Sequence, residues 1–191
     1  MFNLYNALTF AQNTVEASVL VGGTLLWDNY EALKLCVSKK VSIRFLFPSL
    51  DSQWLHEYVS SIGISPGEYI PKIDINSQLA IELGESVEVR FHNLPVASWF
   101  TIIDHSVLAS KPIGIFNRTH PVLTNSISEV KHFSKIFSST WNTASLDKYK
   151  DKTNKEEKLI NYSSQSTHKS QIFLCHSSKD KTRVKEIYHK L

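Results

Sequence analysis

The chain has 191 residues, of which 42% are hydrophobic and 20% are charged, a balance that excludes a wholly disordered protein. Its apolar runs are far shorter than the roughly 20 residues of a membrane span, and residues 1–4 show no secretory signal. Residues 1–141 hold 10 Lys/Arg and 12 Asp/Glu, whereas residues 142–191 hold 11 and 6, so the net charge of +3 comes from the tail. Neither nucleic acid nor a membrane is therefore expected as a partner.

Helix and strand patterns alternate from the N-terminus onward. Apolar residues at helical spacing predict a short helix over residues 3–12. Residues 15–26 are rich in Val, Leu and Thr and predict a strand that leads into a turn at Gly22-Gly23. Asp28 is predicted to cap the helix that follows this turn.

The middle of the chain continues the alternation. Residues 41–47 predict a central strand, and Asp51 is predicted to cap the helix after it. Two prolines and a glycine predict a loop over residues 64–72. The remaining predicted elements are a helix, three strands and a last helix, at 74–83, 87–91, 99–103, 112–116 and 126–141. This order predicts an α/β domain with a mixed sheet flanked by helices over residues 1–145.

The composition changes after this domain. Residues 146–170 are polar and contain few apolar side chains, so we interpret them as a linker. Residues 171–176 predict a buried strand, and residues 179–191 place apolar side chains at helical spacing. Residues 171–191 are therefore predicted to form one βα unit.

This unit carries a family resemblance. The segment Ile172-Phe-Leu-Cys-His-Ser-Ser-Lys-Asp180 and the apolar pattern after it resemble the opening strand, Ser-rich turn and first helix of a bacterial-type Toll/interleukin-1 receptor (TIR) domain, which is flavodoxin-like. A parallel strand delivers such a turn to the carboxyl edge of the sheet, where ligands bind. The resemblance implies that Ser177, Ser178 and Lys179 border an NAD site.

The same resemblance limits the activity expected of this chain. TIR enzymes that cleave NAD use a Glu further along the domain, and the sequence ends at Leu191 without a matching residue. We expect a TIR domain truncated after its first strand and helix, with no cofactor and no NAD cleavage in this chain. The complete family member would be an NAD nucleosidase (NAD hydrolase), with NAD as its substrate.

A second resemblance covers the larger domain. The strand-helix pattern of residues 1–145 resembles the phospholipase D-like fold, through the segments Arg44–Pro48, Val87–Arg90 and 94–104. Active members carry His-x-Lys-x4-Asp on adjacent strands, with a histidine nucleophile and a phosphate-binding lysine. If Asp104 is the motif aspartate, Ala97 takes the histidine position and Trp99 the lysine position. Alanine cannot form a phospho-enzyme, so the resemblance implies a non-catalytic member.

Together these resemblances predict a cytoplasmic TIR-type signal transduction or bacterial immunity protein. Residues 1–145 would be its regulatory or sensor module, responding to a small-molecule or protein trigger. Self-association or other TIR-containing chains are the expected partners. Two alternatives stay open: a phosphodiesterase or nuclease of the phospholipase D-like class, and a non-enzymatic protein interaction module.

Other chemistry-bearing residues support weaker hypotheses. His92, His105 and His120 fall in three predicted loops of one region, but loop histidines are usually solvated, so no metal site is expected. Cys36 and Cys175 lie within apolar patterns and predict buried free thiols in a reducing compartment.

Overall fold

The computed structural model of the protein describes residues 3–112 and 121–148. The chain divides into two units, 1–152 and 153–191, and every described residue belongs to the first. The elements of the described residues are, in chain order, α1 (Leu4–Thr9), β1 (Thr14–Ser18), α2 (Gly23–Asp28), α3 (Tyr30–Ser38), β2 (Ser42–Pro48), α4 (Gln53–Ser61), α5 (Pro66–Glu82), β3 (Val87–His92), β4 (Ser98–Ile103), β5 (Val107–Pro112), β6 (Val122–Thr124) and α6 (Ile127–Thr143).

The strands form one six-stranded mixed sheet in the order β3-β2-β1-β4-β5-β6. Strands β1, β2 and β3 are parallel, and pairs of helices make the two crossovers that parallel pairing requires. Strands β4, β5 and β6 are antiparallel to their neighbours. The predicted α/β domain with a mixed sheet is confirmed.

The two faces of the sheet bury different chemistry, because side chains alternate along each strand. Val15 and Ala17 of β1 lie on the face covered by α1 to α5, within the larger apolar cluster. The opposite face carries Leu46, Phe100 and other apolar residues that pack against α6. One long helix therefore covers a face on which charged side chains also lie.

An ion pair with a buried carboxylate organises that second face. Glu16 of β1 is 1% exposed, and one of its oxygens accepts a hydrogen bond from the Arg44 guanidinium on β2. Arg44 also lies over the rings of Phe137 and Trp141 on α6, at 5.6 and 5.4 Å from their centroids. Arg90 of β3 lies 4.5 Å from the Trp141 centroid. Cations on two strands thus hold α6 against the sheet.

Three predictions about local elements were wrong near the helix starts. Strand β1 ends at Ser18, and residues 23–26 of the predicted strand and turn begin α2 instead. Asp28 is the last residue of α2, and Asn29 precedes α3. Ser52, not Asp51, is the residue before α4. Adjacent polar residues offer competing caps, and packing selects among them.

The predicted loop over residues 64–72 was also wrong, because α5 begins at Pro66 and contains Pro71. Proline suits the first helical position, where the missing N–H would be unpaired anyway. Pro71 removes one internal hydrogen bond, but α5 still buries Ile73 and Ala80 in the core. Tertiary packing therefore keeps α5 helical in spite of Pro71.

Strands β5 and β6 were not predicted in their places. Strand β5 pairs with β4 along its whole length, whereas the strand was expected over residues 112–116, of which only residue 112 is described. The predicted buried thiol at Cys36 is confirmed: burial raises its pKa, and Cys175 lies outside the described residues. No helix in the described ranges is long and apolar enough to cross a membrane.

The ion pair predicts a large and specific loss of stability. Changing Arg44→Met leaves the buried Glu16 carboxylate with only the exposed His105 ring, whose Nδ1 lies 3.8 Å from Glu16 Oε2, so the free energy of unfolding should fall by about 3 kcal/mol. Lys34→Met is the matched control, since Lys34 also lies over a ring, that of Tyr30, but without a buried carboxylate partner in the described structure. Urea denaturation checks both, and a change below about 0.5 kcal/mol for Arg44→Met would contradict the role of the pair.

Candidate functional site

A cleft opens where β1 ends, at the carboxyl edge of the parallel strands. Its volume is about 290 Å³, and we call it the β1 cleft; its lining is Val19, Leu20, Val21, Gly22, Gly23, Thr24, Leu25, Tyr69 and Trp99. The helical crossover leaves β1 toward β2, whereas β4 lies on the other side. Such a divergence at a carboxyl edge is where ligands bind in open α/β sheets.

The side chains of Asn76 and Phe47 pack against the loop after β1 and set its shape. Asn76 of α5 is 5% exposed, and its Nδ2 donates to the Val21 carbonyl at 2.9 Å, while its Oδ1 accepts from Trp27 Nε1 at 3.0 Å. Gly22 has a φ of +80°, and a Cβ there would meet the Phe47 ring at 2.9 Å. The close approach of the main chain to Phe47 therefore requires glycine.

Two aromatic side chains supply the outer part of the β1 cleft. Trp99 of β4 is half-buried and shares a sheet face with Thr101 and Ile103, by the alternation of the strand. Tyr69 lies on α5, and burial, together with the neighbouring Tyr58, raises its pKa to about 12. The Tyr69 hydroxyl is therefore protonated at neutral pH and can donate or accept a hydrogen bond.

The lining of the β1 cleft is chemically neutral. None of these nine described residues carries a charged side chain, and none is a histidine or cysteine. The only side-chain hydroxyls are those of Thr24 and Tyr69, and neither residue has a histidine or carboxylate beside it in the lining. The cleft offers surface for binding but no nucleophile paired with a base.

The three positions matched to the His-x-Lys-x4-Asp motif do not share one site. Ala97 is exposed just before β4 and does not line the β1 cleft, whereas Trp99 does. Asp104 follows the other end of β4, beside the amino end of β1. Trp99 and Asp104 are five residue steps apart along an extended segment, about 17 Å. The structure also places all three on β4 and its flanks rather than on adjacent strands.

Asp104 joins two turns at the amino edge. One of its carboxylate oxygens accepts from the backbone N–H groups of Asn13 and Thr14 at 2.7 and 2.8 Å, and the other accepts from that of Gln12 at 2.9 Å. Its own N–H donates to the Thr14 carbonyl at 2.9 Å, and its φ is +48°. Asp104 therefore acts in the architecture of the sheet, far from the cleft.

The remaining candidate residues fall apart in space or beyond the described ranges. His92 ends β3 at the carboxyl edge, whereas His105 lies in the β4–β5 turn at the amino edge. Among the described residues no group of three potential ligands could hold a metal ion. His120 and the turn from Ser177 to Lys179 lie outside the described residues.

Sequence reasoning missed two residues that build the cleft. The sequence pattern predicts a loop at Tyr69, because Pro66 and Pro71 obscure the helical spacing. Asn76 had a usable signal: with Ser77 it interrupts an otherwise apolar face between Ile73 and Ala80, and both are buried. A polar pair on a buried helical face indicates a structural hydrogen bond, here to the loop after β1.

Comparison with known proteins shows only distant similarity. No family model matches the sequence, and no curated protein matches it. The structure is similar to TrmBL2, an archaeal chromatin protein described as showing a novel mode of DNA binding, with a TM-score of 0.45 and 15% identity over 75% of this chain. The chain spans about half of TrmBL2, covering 48% of it.

Two further solved structures cover a similar share of the chain. Nuc from Salmonella typhimurium, a phospholipase D family member, has a TM-score of 0.46 and 12% identity, with 73% of this chain and 85% of Nuc covered. NucT from Helicobacter pylori has a TM-score of 0.45 and 11% identity, with 74% and 87% covered.

The contacts of Asp104 predict that it stabilises the fold. Changing Asp104→Ala removes the acceptor for three backbone N–H groups, so the free energy of unfolding should fall by about 2–4 kcal/mol. Asp104→Asn retains one acceptor oxygen and tolerates positive φ, so its loss should be about half as large. Thermal and urea denaturation should rank the wild type as most stable, Asp104→Asn next and Asp104→Ala last. Equal stability of the wild type and Asp104→Ala would refute the stabilising role of Asp104.

Proposed function

We propose that residues 1–145 form a non-catalytic module that binds a small, uncharged, largely apolar molecule in the β1 cleft. The observation that carries this proposal is the neutral lining of the cleft at the carboxyl edge. Its volume of about 290 Å³ lies at the lower end of small-molecule sites, which are mostly apolar with a few polar groups. A planar aromatic ligand fits best, because Trp99 and Tyr69 offer aromatic surface.

The neutral lining of the β1 cleft bears on which ligand it can bind and on whether it can catalyse a reaction. An anionic ligand would lose its hydration in the cleft without gaining a cation from the nine lining residues. Hydrolysis of a phosphodiester needs a nucleophile or an activated water, and Ala97 and Trp99 supply neither. A binding role is therefore the simplest function of this site.

In the wider chain, this module would regulate a bacterial TIR-type signalling or defence protein. That part of the proposal rests on the resemblance of Ile172 to Asp180 alone. The alternative, a phosphodiesterase or nuclease of the phospholipase D-like class, would require a catalytic group outside the β1 cleft. The two functions differ in a single measurable property, turnover.

The full chain should not hydrolyse bis(4-nitrophenyl) phosphate. Release of 4-nitrophenolate should equal the buffer control at neutral pH, because neither Ala97 nor Trp99 supplies an attacking group. Turnover that survives repurification would overturn the non-catalytic assignment. A fall of that turnover in Thr24→Val or Tyr69→Phe, each of which removes a cleft hydroxyl, would place the reaction in the β1 cleft.

Binding should depend on charge and on Trp99. Indole should bind the full chain more tightly than indole-3-acetate, because the cleft lining offers no cation to the carboxylate. Trp99→Ala should weaken indole binding at least about tenfold, or 1.4 kcal/mol, whereas Phe10→Ala removes an exposed aromatic outside the cleft and should change nothing.

Titration calorimetry with each compound measures these affinities directly. Tighter binding of indole-3-acetate than of indole would contradict the neutral character of the site. Equal affinity of the Trp99→Ala and wild-type chains for indole would place the ligand elsewhere.

A further inference from the structure

Another cavity lies among the helices that cover the first face of the sheet. Its volume is about 520 Å³, and we call it the α2–α3 cavity; its lining is Tyr5, Trp27, Asp28, Tyr30, Glu31 and Leu79. These residues belong to α1, α2, α3 and α5. Three of the six side chains are aromatic and two are carboxylates, so the lining combines rings with negative charge and contains no cationic residue.

Two of the three rings are available to a ligand. Trp27 is 62% exposed, and Tyr5 is 42% exposed. The Trp27 indole is nevertheless held in place, because its Nε1 donates to Oδ1 of the buried Asn76 at 3.0 Å. A ring that is already fixed loses little conformational freedom when a ligand binds to it.

The carboxylates of the lining are not neutralised by other side chains. Asp28 and Glu31 are both exposed, and neither makes an ion pair within residues 3–112 and 121–148. Their charges attract a cation and disfavour an anion at this cavity. The α2–α3 cavity therefore differs from the β1 cleft, whose lining carries no charge.

A cation of the protein already lies on one ring of this cavity. The Lys34 Nζ lies over the Tyr30 ring, 5.3 Å from its centroid. The electron-rich face of the ring attracts the ammonium. Lys34 is not part of the lining and is not paired with Asp28 or Glu31 among the described residues. Its ammonium therefore accounts neither for the other two rings nor for the carboxylates.

The hydration of different cations decides which one suits this lining. A primary ammonium is compact and strongly hydrated, so exposed rings replace little of the water that it would lose. Within the described ranges, no group of three potential ligands could hold a metal ion. A quaternary ammonium has no N–H donor to satisfy, and aromatic rings attract it through their faces.

We propose that the α2–α3 cavity binds a small free molecule that carries a quaternary ammonium group. Trp27 and Tyr5 contact its methyl groups, and Asp28 and Glu31 supply the opposite charge. The volume of about 520 Å³ lies within the range of small-molecule sites, which favours a compact free ligand. This site is separate from the β1 cleft and does not depend on its ligand.

The test uses the full chain at low ionic strength with three probes of related shape. Tetramethylammonium is the quaternary cation, tert-butanol has a similar branched shape without charge, and methylammonium is a primary cation. The indole N–H signal that Trp27→Phe removes identifies Trp27 among the four tryptophans. Tetramethylammonium should shift this signal in a saturable way. It should bind at least about tenfold more tightly than the other two probes, because two rings and two carboxylates act together.

Surface variants with matched controls locate the binding site. Tyr5→Leu and Glu31→Gln should each weaken tetramethylammonium binding about two- to fivefold, which is the effect of one exposed cation contact. Phe10→Leu and Glu82→Gln remove an exposed ring and an exposed carboxylate outside the lining, and they should leave the affinity unchanged. All four side chains lie at least partly in solvent, so the variants should fold, and urea denaturation checks this.

Lys34→Met removes the ammonium that lies over Tyr30. Tetramethylammonium should then bind more tightly, because a competing cation is gone from a ring of the cavity. Weaker binding in Lys34→Met would contradict the proposed charge preference.

Three results would overturn the proposal. The first is equal affinity for tetramethylammonium and tert-butanol, and the second is binding that Tyr5→Leu and Glu31→Gln both leave unchanged. The third is a saturable shift of the indole signal that Trp99→Phe removes, with the Trp27 signal unmoved, because it would place the cation in the β1 cleft. Binding of a trimethyl-lysine peptide at least about tenfold more tightly than tetramethylammonium would make the ligand a protein segment and contradict the free molecule.

Discussion

A buried carboxylate in the central strand imposes the strongest constraint on this fold. Glu16 is 1% exposed, and a charge at that depth persists only with a partner. Arg44 supplies the partner from β2, and its guanidinium then needs the aromatic rings of α6 as its outer cover. The pair thereby links the register of β1 and β2 to the position of α6, so that one helix covers the second face of the sheet.

The two edges of the sheet then serve different purposes. At the amino edge, Asp104 accepts from three consecutive N–H groups at the start of β1 and joins the turn after β4 to the sheet. At the carboxyl edge, the loops after β1 and β2 leave two cavities with different linings. The first is neutral and aromatic at Trp99, and the second has the carboxylates of Asp51 and Glu57 in its lining. The β1 cleft and the second cavity therefore both lie at the carboxyl edge.

The sequence predicted the elements with strong patterns and missed those that depend on tertiary contacts. Residues 41–47 and 126–141 carry clear apolar periodicity, and β2 and α6 lie there. Strand β5 has a weak pattern and exists because β4 offers a full row of partners. The role of Asp104 depends on N–H groups some 90 residues away, and the cavities join residues from distant segments. The spacing of residues along the sequence does not show that such distant segments meet in the fold.

The central claim is that the carboxyl edge binds uncharged molecules and performs no phosphodiester chemistry. Crystals of the full chain exposed to a set of small neutral and anionic fragments test it most directly. The account predicts density for neutral aromatic fragments against Trp99 and Tyr69, and none for phosphate or sulfate in the β1 cleft. A phosphate or phosphodiester fragment held in that cleft, with neutral fragments excluded from it, would contradict the account.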